Sequence, residues 1–431
     1  MRIGIDVGGT NTDAVVMEGA NVIATTKTPT TENVTDGIVR ALRTVVEDSK
    51  LDVGSLDGVM IGTTHFTNAM VERRRLEPTA CIRLGLPATV CLPPLVDWPD
   101  ELVEAIGRHT YLAHGGHEFD GREISAFDPD EIRKITEEIK SKGINAIAIS
   151  SVFSPVNSEF ETKTAEVVRE VLPDANITLS STIGRIGLLE RENAAVMNAC
   201  LRNLAAATVA SFKEALSAMN ISAPAFISQN DGTLMSADFA AEFPALTFAS
   251  GPTNSLRGAS LLTQLDNAVV VDIGGTTSDI GVLQDGFPRQ SNIAIEVGGV
   301  RTNFRMPDIQ AIGLGGGSLV KDGGATIGPQ SVGYRLVEDG LVFGGDTLTA
   351  TDVLVASGKA LIGDKGRVAD LDATVIKTAT DKMHSIIDNG IDQMKSSRDP
   401  VPVILVGGGA VLVSESLKSA AEIHRPEHSG V

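Results

Sequence analysis

The sequence predicts an α/β protein made of two pseudo-equivalent domains, and three observations carry that expectation. First, one pattern is written twice: MRIGIDVGGTNTDAVV opens the chain and VVVDIGGTTSDIGVL begins at residue 269. Displaced by 266 positions, Asp6, Gly8, Gly9, Thr10 and Asp13 fall on Asp272, Gly274, Gly275, Thr276 and Asp279 with no gap, five matches in eight positions. Turn chemistry alone does not supply that many. Second, the 44 glycines and the 4% aromatic content suit many tight turns between strands and helices, and the segments alternate in that manner. Third, 431 residues with 42% apolar content exceed one hydrophobic core and fill two.

In chain order, residues 2–7 and 13–17 read as strands joined by the GGTNT turn, followed by the polar stretch TTKTPTTEN and a helix from Thr35 to Asp48. VMIGTTHFTNAMVERR reads as strand, turn and helix, while the stretch from Cys91 to Ile124 reads as an irregular inserted flap, placed at about 85–125. Asp128 suits an N-cap and Pro129 a first helical position, so IRKITEEIKSKG is a helix ending on Gly143. Strand INAIAISSVF, helix SEFETKTAEVVREVL and strand NITLS follow. Gly187 to Met219 is Ala- and Leu-rich at 3.6 spacing without proline, which predicts one long helix and a division into domains 1–186 and 187–431. Beyond it come strand AFISQN, a helix opened by TFASGPTNS, the second copy of the motif, and a Gly-rich segment AIGLGGGSLVKDGGATIGP expected to be irregular. Helix 373–395, strand PVILV, the triple glycine 407–409 and a last helix from Ser414 complete the reading.

A net charge of −19 and a pI near 4.8 argue against nucleic acid or an acidic membrane surface as partner, because neutralising phosphates needs clustered Lys and Arg. The opening residues form no basic region followed by an apolar stretch, and no run approaches the roughly 18 apolar residues of a membrane span. Three widely spaced cysteines, Cys81, Cys91 and Cys200, fit reduced thiols, and the expected compartment is the cytoplasm.

The repeated motif has a physical use. Backbone N–H groups of a Gly-Gly-Thr turn converge on an anion, and the missing Cβ atoms let phosphate oxygens come close. An Asp at the strand end repels phosphate unless a hydrated Mg²⁺ lies between them. For one copy, a plain tight hairpin explains the residues equally well. Two copies favour a pair of hairpins gripping phosphates across a nucleotide cleft. There is no GxxxxGK[ST] and no GxGxxG, which disfavours a P-loop and hydride chemistry. PVILVGGGAVL sets glycines after a buried strand, where a flat base and ribose can lie against bare backbone.

Two DxGGT hairpins and a later strand-GGG resemble the actin, sugar-kinase and chaperone ATPase superfamily, which implies two pseudo-duplicated ribonuclease-H-like domains flanking the nucleotide. More narrowly, GTTHFTNAMVER, LLERENAAVMNA, FASGPTNSLRGA, DIGGTTSDIGVL, MPDIQAIGLGGGS and GGDTLTATD resemble the hydantoinase A/oxoprolinase family along nearly the whole chain. That resemblance implies ATP-dependent opening of a small cyclic amide such as a hydantoin or 5-oxoproline, with ATP and Mg²⁺ as cofactors. A sugar kinase is the alternative, although its cysteine-rich zinc motif and acidic phosphotransfer segment are not visible; a non-catalytic ATP-driven switch is a second. Carried over by position, Asp6 and Asp272 organise the magnesium, with one of them, Asp13 or Asp279 helping the proton leave. Gly8, Gly9, Thr10, Asn11 and Thr12, with Gly274, Gly275, Thr276 and Thr277, cradle phosphates, and Gly407, Gly408 and Gly409 lie under the adenosine.

Thr63, Thr64, His65 and Asn68 cluster after a strand, either facing the substrate or capping the next helix. His65 stands out because a histidine titrates near working pH. Asp308 precedes GLGGGS as a ligand or a loop-fixing carboxylate. His109, His114 and His117 match no zinc spacing and read as solvated loop histidines, while Glu190, Arg191 and Glu192 read as a structural ion network. The resemblance also implies a second hydantoinase-type subunit or a homo-oligomer, and a further C-terminal region that completes the adenosine site past EHSGV.

Overall fold

The computed structural model describes residues 1–7, 11–29, 34–292, 294–413 and 416–428, with backbone alone at 11, 29 and 34–36. Gly8, Gly9 and Thr10 of the first turn lie outside the described residues, as does the side chain of Asn11. The first elements are β1 (Arg2–Val7), β2 (Asn11–Glu18), β3 (Asn21–Pro29), α1 (Val34–Ser49), β4 (Gly58–Thr63) and α2 (His65–Glu72). Then come β5 (Thr79–Leu86), α3 (Asp100–Ile106), β6 (His109–His114), α4 (Pro129–Ser141), β7 (Ala146–Ser151), α5 (Glu159–Val171), β8 (Asn176–Leu179) and α6 (Ser180–Ile183). The middle of the chain holds α7 (Leu188–Ala218), β9 (Ala225–Ser228), β10 (Leu234–Ser236), α8 (Ala237–Glu242), α9 (Ser250–Thr263), β11 (Ala268–Ile273) and β12 (Ser278–Gln284). The remainder is β13 (Phe287–Pro288), β14 (Ile295–Val297), β15 (Val300–Thr302), β16 (Ile309–Ile312), β17 (Ser318–Lys321), β18 (Thr326–Ser331), α10 (Leu336–Asp339), α11 (Ala350–Ala356), α12 (Ala373–Met394), β19 (Val401–Val406) and β20 (Ala420–His424).

The chain divides into two compact units. One comprises residues 1–12, 30–250 and 291–306, the other 13–29, 251–290 and 307–431. In the first unit β1, β4 and β9 run parallel, Asp6 lying opposite Gly62, with β10 antiparallel on β9. A second sheet of this unit, ordered β6-β5-β7-β8, is entirely parallel. Its crossovers are the helices the sequence marks: the Asp128 carboxylate accepts the N–H groups of Asp130 and Glu131 at the start of α4, and Gly143 leaves the helix at φ +71°. Helix α7 buries its N-terminal half, where Ala194, Ala195, Met197 and Leu201 meet Phe66, Met70, Trp98 and Phe248 in one core.

In the second unit β11 pairs parallel with β19 and antiparallel with β12; β19 continues to β20, and β12 also carries β13 and β16. Helix α12 covers this sheet with Ala379, Met383, Ile387 and Ile391, each of the larger side chains contributing about 1.5–3 kcal/mol by burial. Among the described residues no helix is long and apolar enough to cross a membrane.

Four segments differ from the sequence reading. The polar stretch after β2 forms part of β3, whose β-branched Val22, Ile23, Thr25, Thr26 and Thr28 suit extended backbone. The flap is not irregular throughout: it holds α3 and β6, and β6 is a strand of the parallel sheet. The Gly-rich segment contributes β16, β17 and β18, its glycines other than Gly328 falling between strands. The helix expected from Ser414 is replaced by strand β20, parallel to β19; Ser414 itself lies outside the described residues. The histidines divide as well: His109 and His114 are strand residues, while His117 is 2% exposed and stacks on Phe160 at 4.3 Å. The Glu190-Arg191-Glu192 run does form a structural ion network: Glu190 lies 3.5 Å from Arg301, and Glu192 accepts Arg83 Nε at 2.7 Å and the Ser150 hydroxyl at 2.5 Å in a fully buried ion pair. Removing one partner of such a pair costs about 3–5 kcal/mol.

Candidate functional site

Strand β11, written AVVVDI, is buried along its apolar run and delivers Asp272 at its end. β12 returns antiparallel, and its register sets Asp279 directly opposite Asp272. Two carboxylates opposed across a strand pair repel each other. Burial raises the proton affinity of both, and with the added charge of Asp272 it pushes Asp279 up to about 6. A hydroxyl hydrogen bond from Ser255 of α9 works the other way on Asp272. Near neutral pH the pair therefore favours a proton or a cation beside it.

The turn between the two strands is backed by the GLGGGS loop. Gly274 donates its N–H to Thr277 O at 2.9 Å, while the carbonyls of Gly274 and Gly275 accept from Gly316 N–H at 3.0 Å and Gly317 N–H at 2.7 Å. In a trans peptide the N–H points opposite to the preceding C=O. The N–H groups of Gly275 and Thr276 are thus directed away from the loop, side by side. A Cβ on Gly315 would stand 2.6 Å from the Gly275 carbonyl carbon and the Thr276 nitrogen, so this backing needs glycine. Gly275, Thr276 and Thr277 are exposed, and a Cβ on Gly275 would meet nothing within 4 Å. Backbone N–H groups bared in this way are the kind that can receive an anion.

The triple glycine follows β19, whose Val406 pairs with Asp272. At Gly407 φ is +83°, and a Cβ would collide with Asp272 Oδ1 and lie 2.5 Å from Ile273 O. At Gly409 a Cβ would lie 2.5 Å from Ile273 Cγ2, and its N–H donates to Ile273 O at 2.7 Å. At Gly408 a Cβ would meet nothing within 4 Å. The outer glycines let the loop close on the carboxylate strand, and the middle one leaves an open face. Asp272, Asp279, Gly274–Thr277 and Gly407–Gly409 are therefore assembled on one set of neighbouring strand ends.

The other candidates stand in different settings. Asp6 lies at the end of β1 opposite Gly62, with Thr12 buried nearby in sequence. Asp13 has its own cation: Lys27 Nζ is 3.3 Å from Oδ1, opposing the upward push of burial. After β4, the Thr63 hydroxyl accepts the His65 N–H at 3.1 Å, Thr64 donates to Val7 O at 3.4 Å, and Asn68 Nδ2 donates to Thr64 Oγ1 at 3.3 Å. His65 does not titrate near neutrality. Burial, then the charge of Arg75, lowers its pKa to about 4, so its Nε2 accepts from Arg75 Nη1 at 3.5 Å. Asp308 receives Arg289 Nε at 3.0 Å and Nη2 at 2.7 Å on one oxygen, and its N–H donates to Arg289 O, which ties the start of β16 to the residue after β13. Arg289, Ser255, Lys27 and the backing role of Gly315–Gly317 were not found by sequence reasoning. Only the glycine spacing gave a signal for the last.

The donor set fits a hydrated Mg²⁺, which takes one or two carboxylates and keeps several waters. Among the described residues no group of three or more His, Cys, Asp and Glu side chains gathers, as a fully protein-ligated ion needs.

Against known proteins, residues 2–172 match the hydantoinase/oxoprolinase N-terminal region and residues 191–364 match hydantoinase/oxoprolinase. The chain belongs to the hydantoinase/oxoprolinase family. This family member is 25% identical to caprolactamase subunit alpha of Pseudomonas jessenii, over 98% of its own length and 67% of the relative's. It is 25% identical to the acetophenone carboxylase gamma subunit of Aromatoleum aromaticum, over 83% of its length and 53% of the relative's. The chain thus spans between about half and two thirds of these relatives. The solved structure of ATP-dependent caprolactamase from P. jessenii superposes with a TM-score of 0.78 at 22% identity, covering 95% of this chain and 66% of that one. The mixed α/β fold of this chain is the one that structure shows.

Proposed function

We propose that this chain binds Mg-ATP and uses it to activate a small cyclic amide, of the hydantoin, lactam or 5-oxoproline kind, for ring opening. The observation that carries the reading is the opposed Asp272–Asp279 pair beside a glycine cradle and a glycine-walled open face. The similarity to a subunit of an ATP-dependent caprolactamase supports it.

When bound, Mg-ATP would supply a phosphoryl group to the amide oxygen, so that the otherwise poorly electrophilic carbonyl carbon is opened to attack by water and the phosphorylated oxygen can leave. The residues divide the remaining work. Asp272 and Asp279 hold the ion, and with it their mutual repulsion falls. The Gly275 and Thr276 amides face the phosphates, with Gly274 and Thr277 setting the turn. Gly407, Gly408 and Gly409 offer bare backbone to the base and ribose. Asp6 would help hold the ion, the first turn, Gly8 to Thr12, would serve the phosphates as the first copy of the motif, and Asp13 would help the proton leave. Thr63, Thr64, Asn68 and neutral His65 are proposed to face the amide as hydrogen-bonding groups, His65 as an acceptor or donor and not as a cation. Since the relatives are named as subunits, a second subunit is proposed to complete the reaction.

A second reading, ATP-dependent carboxylation, is favoured by the acetophenone carboxylase similarity. The test is phosphate release from ATP by the purified chain with Mg²⁺, alone and with hydantoins, lactams, 5-oxoproline, simple sugars, or a ketone plus bicarbonate. Stimulation by a cyclic amide is the expected result. Stimulation only by a ketone with bicarbonate selects carboxylation, and stimulation by a sugar with a phosphorylated product selects a kinase.

A further inference from the structure

Two motifs of the sequence, MPDIQAIGLGGGS and GGDTLTATD, have no part in the chemistry proposed above, and the fold joins them. Helix α11 begins with a capping box: Thr349 Oγ1 and N–H both reach Asp352 Oδ2 at 2.7 Å, and Asp352 Oδ1 accepts Val342 N–H at 2.8 Å. Asp352 is fully buried, so the start of α11 is fixed from two sides. One residue inside that start, Thr351 gives both its N–H and its hydroxyl to the carbonyl of Gly316, each at 2.9 Å. Gly316 in turn gives its N–H to Gly274 O, and Gly317 to Gly275 O. Neighbouring side chains steady the same loop: Ser318 Oγ accepts Gly315 N–H at 2.8 Å, and Ser278 Oγ donates to Leu314 O at 2.6 Å.

We propose that Thr351 is a positioning residue for phosphate binding, holding Gly316 so that the Gly275 and Thr276 amides stay aligned on the anion. The inference rests on the nucleotide reading above. It follows from connectivity: Thr351 to Gly316, Gly316 to Gly274, and from that carbonyl through one planar peptide to the Gly275 N–H. Thr351 is 6% exposed and touches no phosphate itself. Its hydroxyl is one of two donors on one carbonyl, so its removal loosens the loop without deleting it.

The test compares the wild-type chain with Thr351→Val, Thr351→Ser and Gly316→Ala, measuring Mg-ATP affinity by calorimetry, KM against kcat for ATP, and thermal stability. Thr351→Val, which keeps the shape and loses the hydroxyl, is expected to weaken Mg-ATP binding roughly three- to tenfold, the scale of one net hydrogen bond, with KM moving more than kcat. Thr351→Ser keeps the donor and should restore wild-type affinity. Gly316→Ala places a Cβ 3.1 Å from Thr351 Oγ1 and should reproduce the loss through the other partner, which keeps the test open if the valine variant does not fold. Equal affinity in the wild type, Thr351→Val and Gly316→Ala overturns this inference alone. Absence of Mg-ATP binding by the wild type overturns the nucleotide reading and this inference with it.

Discussion

Asp13 and Asp279 close the two copies of the same motif, yet one has a cation beside it and the other a second carboxylate. Lys27 stands 3.3 Å from Asp13, whereas Asp279 faces Asp272 across β11 and β12 and is pushed up to about 6. A duplicated strand-turn-strand has therefore been given opposite electrostatic needs. The first copy supplies its own counter-charge, and the second, apart from the Ser255 hydroxyl on Asp272, has its two charges unbalanced until a proton or a metal ion arrives. The strands that follow differ in the same sense. β4, beside Asp6, leads into hydroxyls, an amide and a neutral imidazole, while β19, beside Asp272, leads into three glycines. Bare backbone suits a flat ligand common to many enzymes, and side chains suit recognition of one substrate.

The largest way to break this contrast is Asp279→Asn. ATP turnover should fall by roughly 10²–10³, as for loss of a charge that stabilises phosphoryl transfer. The ligand-free protein should meanwhile gain about 1–3 kcal/mol, because a buried charge is removed and with it the repulsion across the strands. A destabilised but active variant would contradict the assignment. The sign of the pH effect follows. A folded-state pKa raised from 3.8 to about 6 means the folded protein holds the extra proton between those values, so Asp279's contribution to stability declines as pH rises through that window. Saturating Mg²⁺ should flatten that slope in thermal melts. His65 acts oppositely: its pKa of about 4 makes its contribution complete above 6.5 and lost as pH falls toward 4, and its ring resonances should titrate near 4.

Next come the glycines. Gly407→Ala forces a side chain into φ +83° against Asp272 and should cost about 1–3 kcal/mol of stability in chemical denaturation. Gly408→Ala meets open space, so its melting temperature should be unchanged while Mg-ATP affinity drops about tenfold, from loss of close backbone contact. Unaltered affinity there would remove Gly408 from the site. Smallest is Lys27→Met: the lysine is 46% exposed, and the change should cost less than about 1 kcal/mol.

Much of this was legible in the sequence because it depends on local order. Asp, Gly-Gly-Thr and Asp at fixed spacing specify a hairpin, and Asp128-Pro129 to Gly143 specifies a helix with both ends marked. What was not legible depends on distant partners. The imidazole of His65 is kept neutral by burial and by Arg75, neither of which shows in GTTHFTN. Lys27 reaches Asp13 from a strand whose polar residues concealed it. The glycines of GLGGGS read as irregular in isolation because their partners, the carbonyls of Gly274 and Gly275, lie 40 positions upstream or more. The sequence predicts helix where β20 forms, because AAEIH carries no strand signature apart from the sheet edge that receives it.

The most direct test of the central claim is proton release when Mg-ATP binds, measured by calorimetry in buffers of differing ionisation enthalpy. If the Asp272–Asp279 pair receives the metal, binding at pH 6 should release about half a proton from the protein, beyond that from the nucleotide alone, and at pH 8 none. Asp279→Asn should abolish the release at pH 6. Equal release by the wild type and the variant, or none at pH 6 with full binding, would show that the ion is held elsewhere.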